Sequence, residues 1–183
     1  MGQVERIIYV GPSLYSVAIE HLEGEVWKGP ASQGDILRDV IAIHPRQLVL
    51  IDGVFHQSLA VWHKELVYAL VHGVCCIGAS SMGALRAAEL HRYGMVGVGK
   101  IFEMYLSGEE DDSLVAMTFH PETYEPLLQA PVGQDQKALD ALEAIRWSRV
   151  HSCEQCITPL DKTAITPYLE RVIKLILEDK KHG

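Results

Sequence analysis

The sequence predicts an α/β domain: a parallel sheet with helices on both faces, Rossmann-like, with C-terminal helices appended. Three observations predict it. Short all-apolar runs recur at Ile7–Val10, Leu48–Ile51 and Val74–Ile77, as expected for strands buried on both faces. Each run stops at a turn signal, Gly11-Pro12, Asp52-Gly53 or Gly78-Ala79-Ser80-Ser81. Segments of helical periodicity lie between them, and strand–loop–helix units of this length build a parallel sheet.

The elements follow in order. Val26 and Trp27 start a short second strand that Gly29-Pro30 stops. Ser32 is placed to N-cap a helix with Asp35 in its first turn; Ile36, Leu37, Val40 and Ile41 form one stripe, and Pro45 ends it. A helix from about Ala60 to Val71 follows the third strand, with Gly73 placed to cap it. After Ser81 comes the helix MGALRAAELHR. Residues 1–119 read as the core. In 120–183, Pro121, Pro126 and Pro131 interrupt regular structure before two closing helices. LVAMTF (114–119) reads as one more strand at the sheet edge. In the last helix Leu169, Val172, Ile173, Ile176 and Leu177 form an apolar stripe, which packs on this domain or on a second copy in a homo-oligomer.

Composition excludes several classes. The chain has 183 residues, 48% hydrophobic and 22% charged, enough for one folded core. Twenty-four acidic against 16 basic side chains give a net charge of −8, without the basic excess of a nucleic-acid binder. No apolar run reaches the ~18 residues of a membrane helix. The start, MGQVERIIYVGPSL, lacks a basic n-region and cleavage site, so a cytoplasmic protein is expected. Cys75 and Cys76 sit inside an apolar run and read as small buried hydrophobes. Cys153 and Cys156 form a lone CxxC with only His151 close by, short of a zinc site, and no metal is expected.

In open parallel sheets the functional crevice lies beyond the carboxyl ends of the strands. Ser81 in ASSMG matches the A-x-S-x-G form of a nucleophile elbow, with a helix N-terminus behind it to hold an oxyanion; serine is also among the best N-caps. His63 falls near the centre of the apolar face of its helix, with Lys64 and Glu65 towards the other side, and Asp52 could orient it as a base. Lys64 is the rival base, since a partly desolvated lysine can lose its proton. Arg86 could clamp an anion, Glu89 fits an ion pair with Arg86 or Arg92, and Asp35 fits the helix dipole of its first turn. Neither GxGxxG nor GxxxxGK[ST] occurs, against a standard dinucleotide or P-loop site.

GPSL, QGDILR, IDGVF, AVWHKELVYAL, GASSMGALRAAEL and YGMVGVGKIFEMY recur in this order in TfuA-like proteins, which the chain resembles over roughly residues 6–108. Residues 120–183 carry no matching motif. The resemblance implies a partner of YcaO-type enzymes, which use ATP to activate a backbone amide for thioamidation. It further implies hydrolysis of a thiocarboxylated sulfur carrier of the ThiS kind. On that reading Ser81 is the nucleophile and His63 or Lys64 the base. Backbone N–H groups at Met82 and near Ser13 hold the oxyanion, Gly53, Gly78, Ala79 and Gly83 let the slender carrier tail approach, and Gly11 and Asp35 count with the substrate-binding residues. Arg86 or Lys64 steers the thiocarboxylate. No cofactor is expected here, with ATP and magnesium on the partner. The alternatives are a non-catalytic adaptor docking carrier onto YcaO, and a small-molecule binding domain.

Overall fold

In the computed structural model, residues 4–54, 59–108, 111–116, 118–128 and 132–151 are described, with positions 160, 161, 163, 165, 167, 169–171 and 174 beyond them. Five strands, β1 (Arg6–Tyr9), β2 (Glu25–Lys28), β3 (Gln47–Leu50), β4 (Cys75–Ala79) and β5 (Val96–Val98), form one parallel sheet in the order β2-β1-β3-β4-β5. Helices α1 (Asp35–Ile43), α2 (His63–Val71), α3 (Met82–Leu90), α4 (Lys100–Leu106) and α5 (Gln134–Val150) surround it. The sheet class is therefore the one the apolar runs predict.

Both faces of the central strands are covered, which is why those strands are apolar throughout. Ile7, Leu48, Leu50 and Cys76 face α1, α2 and α3 through Ile36, Val40, Leu66, Leu70 and Ala87. Ile8, Val49, Ile51, Cys75 and Ile77 face α5 through Ala141, Ala144 and Ile145. Each fully buried aliphatic side chain contributes about 2 kcal/mol of transfer free energy. Because the chain runs from β1 outward to β2 and then returns to β3 on the other side, the order reverses between β1 and β3. The crevice of a doubly wound sheet opens at that point.

Several local expectations need correction. Ser32 is not the N-cap of α1: Gly34, with φ of +85°, precedes it, while the Ser32 N–H and hydroxyl donate to the Asp35 carboxylate at 2.8 and 2.6 Å. The 118–119 segment does not extend the main sheet; β6 (Thr118–Phe119) pairs antiparallel with β7 (Pro126–Leu128), and β5 forms the edge. Proline is tolerated in β7 because it opens a strand in a two-stranded ribbon. Cys75 is disulfide-bonded, whereas Cys76 is a free buried thiol. Of the predicted C-terminal stripe, Leu169 is buried and lines a cavity against α2 and α3. Val172, Ile173, Ile176 and Leu177, like Cys153 and Cys156, lie outside the described residues. No helix among the described residues is long and apolar enough to cross a membrane.

Candidate functional site

The strand ends β1, β3 and β4 converge on a buried polar cluster. Asp52 follows β3 and is 1% exposed. One of its oxygens accepts the N–H groups of Gly11 and Ser13 at 2.8 and 3.0 Å, and the other accepts the Ser13 hydroxyl at 2.6 Å. This clasp forms the 3-10 turn Pro12–Leu14, whose Pro12 fixes the first φ and whose N–H donors would otherwise be orphaned. Ser80 follows β4 and donates its hydroxyl to Ser13 Oγ at 2.8 Å. A hydrogen-bonded chain thus runs Ser80 to Ser13 to Asp52. Burial pushes the Asp52 carboxyl up, and the Ser13 hydroxyl, the two amides and the charge of Lys137 act against that rise.

The turn from β4 into α3 carries backbone strain. Ser80 has φ of +66°, in the left-handed region that costs a non-glycine residue about 1 kcal/mol or more. Ser81 directly precedes α3 and donates its hydroxyl to the Val115 carbonyl at 3.3 Å. The tight turn depends on glycine at a second place. Gly83 N–H donates to Ile51 O at 3.1 Å, and a Cβ on Gly83 would lie 1.7 Å from the Leu50 carbonyl oxygen. Gly83 therefore seats α3 against β3. Likewise a Cβ on Gly53 would meet the Met82 side chain at 2.8 Å, in a bridge that ties Gly53 to Ala31. The glycines that the sequence assigns to a carrier tail are occupied in packing.

A residue absent from the sequence reading completes the cluster. Lys137 of α5 is fully buried, and its ammonium donates to the same Val115 carbonyl at 2.9 Å. Desolvation lowers its pKa to about 8, against the opposing pull of Asp52. The signal was present in the sequence. Lys137, Ala141, Ala144 and Ser148 recur at helical spacing, so extending the small-residue stripe of α5 backward lands on the lysine.

Other predicted site residues are elsewhere. His63 does not face inward: its side chain is 47% exposed, and Nε2 lies 2.7 Å from Glu89 Oε2. It opens α2, where the wheel's apolar face has not yet met the sheet, so Asp52 does not orient it. Glu65, expected to point outward, is buried; it accepts Trp62 N–H and Leu37 N–H, both at 3.2 Å, and so joins the starts of α1 and α2. Arg86 pairs with Glu89 at 2.6 Å, as expected, and also donates to Val61 O at 3.0 Å, so its guanidinium braces the loop before α2. Lys64 lies 5.5 Å over the Trp62 ring. His63, Lys64 and Glu89 line a cavity of about 400 Å³ with Val67, Tyr93 and Leu169. Asp35 stays with its own turn through Ser32 and Arg38. The Ser13 N–H is held by Asp52 and so is not an open oxyanion donor. Among the described residues no group of three His, Cys, Asp or Glu side chains could hold a metal ion.

Sheet order, strained serine turn and buried Asp–Ser–Ser–Lys cluster define a doubly wound α/β domain with its polar site at the topological switch point. The chain belongs to the TfuA-like family: the family model, described as TfuA-like protein, matches residues 52–166. That family is associated with sulfur handling in thioamidation alongside YcaO-type enzymes. The match begins at Asp52 and extends through α5, so it includes Lys137 and carries the family beyond residue 119, where the sequence shows no family motif. A search of the curated proteins returned no match.

Proposed function

We propose that this domain hydrolyses the thiocarboxylate at the end of a small ThiS-like sulfur-carrier protein and releases sulfide for a YcaO-type partner. The observation that carries the reading is the Ser80–Ser81 turn at the switch point. It presents two hydroxyls at a strained strand-to-helix junction, one tied through Ser13 to Asp52 and one holding a carbonyl oxygen.

Ser81 adds to the thiocarboxylate carbon. The sulfur leaves as hydrosulfide carrying the proton that the serine gives up, and water then cleaves the serine ester to leave a carboxylate on the carrier. Met82 N–H, the first amide of α3, is the oxyanion donor. Ser80, Ser13 and Asp52 hold the turn in its strained form. His63 and Arg86, paired with Glu89, belong to the outer wall where the carrier body approaches. The Ser81 hydroxyl donates to the Val115 carbonyl, a hydrogen bond that it gives up when it attacks. The chemistry proceeds without a cofactor of this chain, and ATP belongs to the YcaO partner.

An adaptor reading rests on a different observation: Leu139, Leu142 and Val150 are exposed along α5. The two readings separate in one experiment. Sulfide release from a thiocarboxylated carrier is followed for wild type and Ser81→Ala, with and without the YcaO enzyme. Hydrolysis requires that release disappear in the variant while the complex still assembles. An adaptor leaves release unaffected by the serine and sensitive to Leu139→Asp with Leu142→Asp.

A further inference from the structure

Among the described residues, Lys137 is a buried titratable group for which neither the fold nor the family match supplies a role. A lysine ammonium is among the groups least tolerated without water, and this one has no exposed surface. In the middle of a stripe otherwise built from Ala141, Ala144 and Ile145, an apolar residue would pack more easily. What surrounds its nitrogen is chemically specific. Val115 O lies 2.9 Å from Lys137 Nζ and 3.3 Å from Ser81 Oγ, so the amine and the hydroxyl lie within about 6 Å of each other and share one acceptor.

We propose that Lys137 is the proton-transfer residue for Ser81: its free amine takes the hydroxyl proton as the serine attacks, and the resulting ammonium gives that proton to the departing sulfur. This deepens the hydrolase reading and rests on it for the identity of the substrate. The step balances. The O–C bond forms as the C–S bond breaks, and the serine proton leaves on hydrosulfide. A sulfur dianion is too poor a leaving group to depart without it. Loss of the shared bond to the Val115 carbonyl leaves the Ser81 hydroxyl and the Lys137 amine as neighbouring groups between which the proton passes.

The charged surroundings are compatible with an amine that gains and loses a proton. Asp52 at the end of β3 is the opposing charge, acting on the ammonium without a direct ion pair. Asp140, one turn along α5, accepts Ile101 N–H at the start of α4 and the Gln136 amide of its own helix. The turn Pro12–Leu14 and the end of β4 contribute hydroxyls only, from Ser13, Ser80 and Ser81, and β5 contributes no titratable side chain.

The test uses the full chain with two readouts. The first is covalent labelling of Ser81 by a fluorophosphonate, located by peptide mass spectrometry across pH 6–9. The second is sulfide release from a thiocarboxylated carrier. In wild type, labelling and release rise together with pH through about 8, the pKa of the amine. Lys137→Met and Lys137→Arg, both folded by their melting curves, lose about 10²–10⁴-fold in each, the range of a general base. Lys137→Arg keeps the charge but cannot release a proton, so it separates proton transfer from simple charge. Full labelling in Lys137→Arg, an unchanged pH profile in either variant, or a wild type that is not labelled at Ser81 overturns the assignment. Lysine-dependent labelling without sulfide release keeps Lys137 in its role and rejects the carrier as substrate.

Discussion

Replacing Lys137 by methionine should stabilise the protein at neutral pH while removing its activity. The magnitude follows from the buried amine. Its pKa is about 8 in the folded chain, against about 10.4 in an unfolded one, and each unit corresponds to about 1.4 kcal/mol. Below pH 8 the lysine is charged in both states, and the folded state carries a net penalty of about 3 kcal/mol, desolvation less the attraction of Asp52. Between pH 8 and 10.4 the unfolded chain binds more protons than the folded one, so stability rises with pH; above that window the penalty is gone. Methionine has similar volume and no charge, so Lys137→Met removes the penalty. It also removes the hydrogen bond to Val115 O, about 1 kcal/mol. A net gain of about 1–2 kcal/mol remains, or about 4 °C in Tm for a chain of this size. Urea unfolding of wild type and variant at pH 7 and pH 10 measures it. The gain should be present at pH 7 and largely absent at pH 10. A variant less stable than wild type at pH 7 would refute the reasoning, because the buried ammonium would then be a net source of stability.

The remaining predictions concern packing, the acid limit and the rejected base. Gly83→Ala places a methyl against the Leu50 carbonyl and should cost about 3 kcal/mol, read as a lowered urea midpoint or loss of soluble protein. Glu65→Ala leaves Leu37 and Trp62 N–H groups unpaired and should cost about 2–4 kcal/mol, whereas Glu65→Gln, which keeps an acceptor, should cost less than half as much by the same assay. The Glu25 carboxyl is pushed up by burial, but hydrogen bonds and charge from Arg149, with the Leu22 amide and Trp27, outweigh that and hold it at about 2. Because that pKa is depressed, its contribution of about 3 kcal/mol is present above pH 4.5 and lost as pH falls towards 2. Arg149→Ala should therefore flatten the acid side of the stability profile. His63→Ala should leave sulfide release within about tenfold of wild type, since the imidazole is paired with Glu89 outside the cluster; a thousandfold loss would return it to the catalytic machinery.

The sheet was legible in the sequence because burial on both faces leaves no other solution for runs such as Leu48–Ile51 and Cys75–Ile77. Their punctuation by Asp52-Gly53 and by the serine turn likewise marked the carboxyl edge. Asp52, Ser13 and Ser81 were named from that logic, and the structure brings Asp52 and Ser13 together and gives Ser81 the same carbonyl acceptor as Lys137. The errors came from inference across elements. His63 lies on the apolar side of its wheel, yet at the first turn of α2 that side overhangs the Glu89 side chain instead of the core. Glu65 looks like a solvated residue of WHKE because its acceptors' partners, the amides of Leu37 and Trp62, come from two different segments. Ser80 is indistinguishable from Ser81 in a string of letters, and only the backbone reveals which of them carries the positive φ. Lys137 stands on the small-residue stripe of α5, a periodicity visible in the sequence that carried no functional meaning by itself. It is distant from every motif, and its meaning depends on which strand ends α5 crosses.

The measurement that tests the account most directly is the fate of a thiocarboxylated carrier incubated with the full chain in ¹⁸O-water. The account predicts sulfide and carboxylate-ended carrier in equal amounts, one heavy oxygen in the new carboxylate, and loss of both products in Ser81→Ala. Carrier that keeps its sulfur in the presence of both this protein and the YcaO-type enzyme, or that loses it equally well with Ser81→Ala, would contradict it.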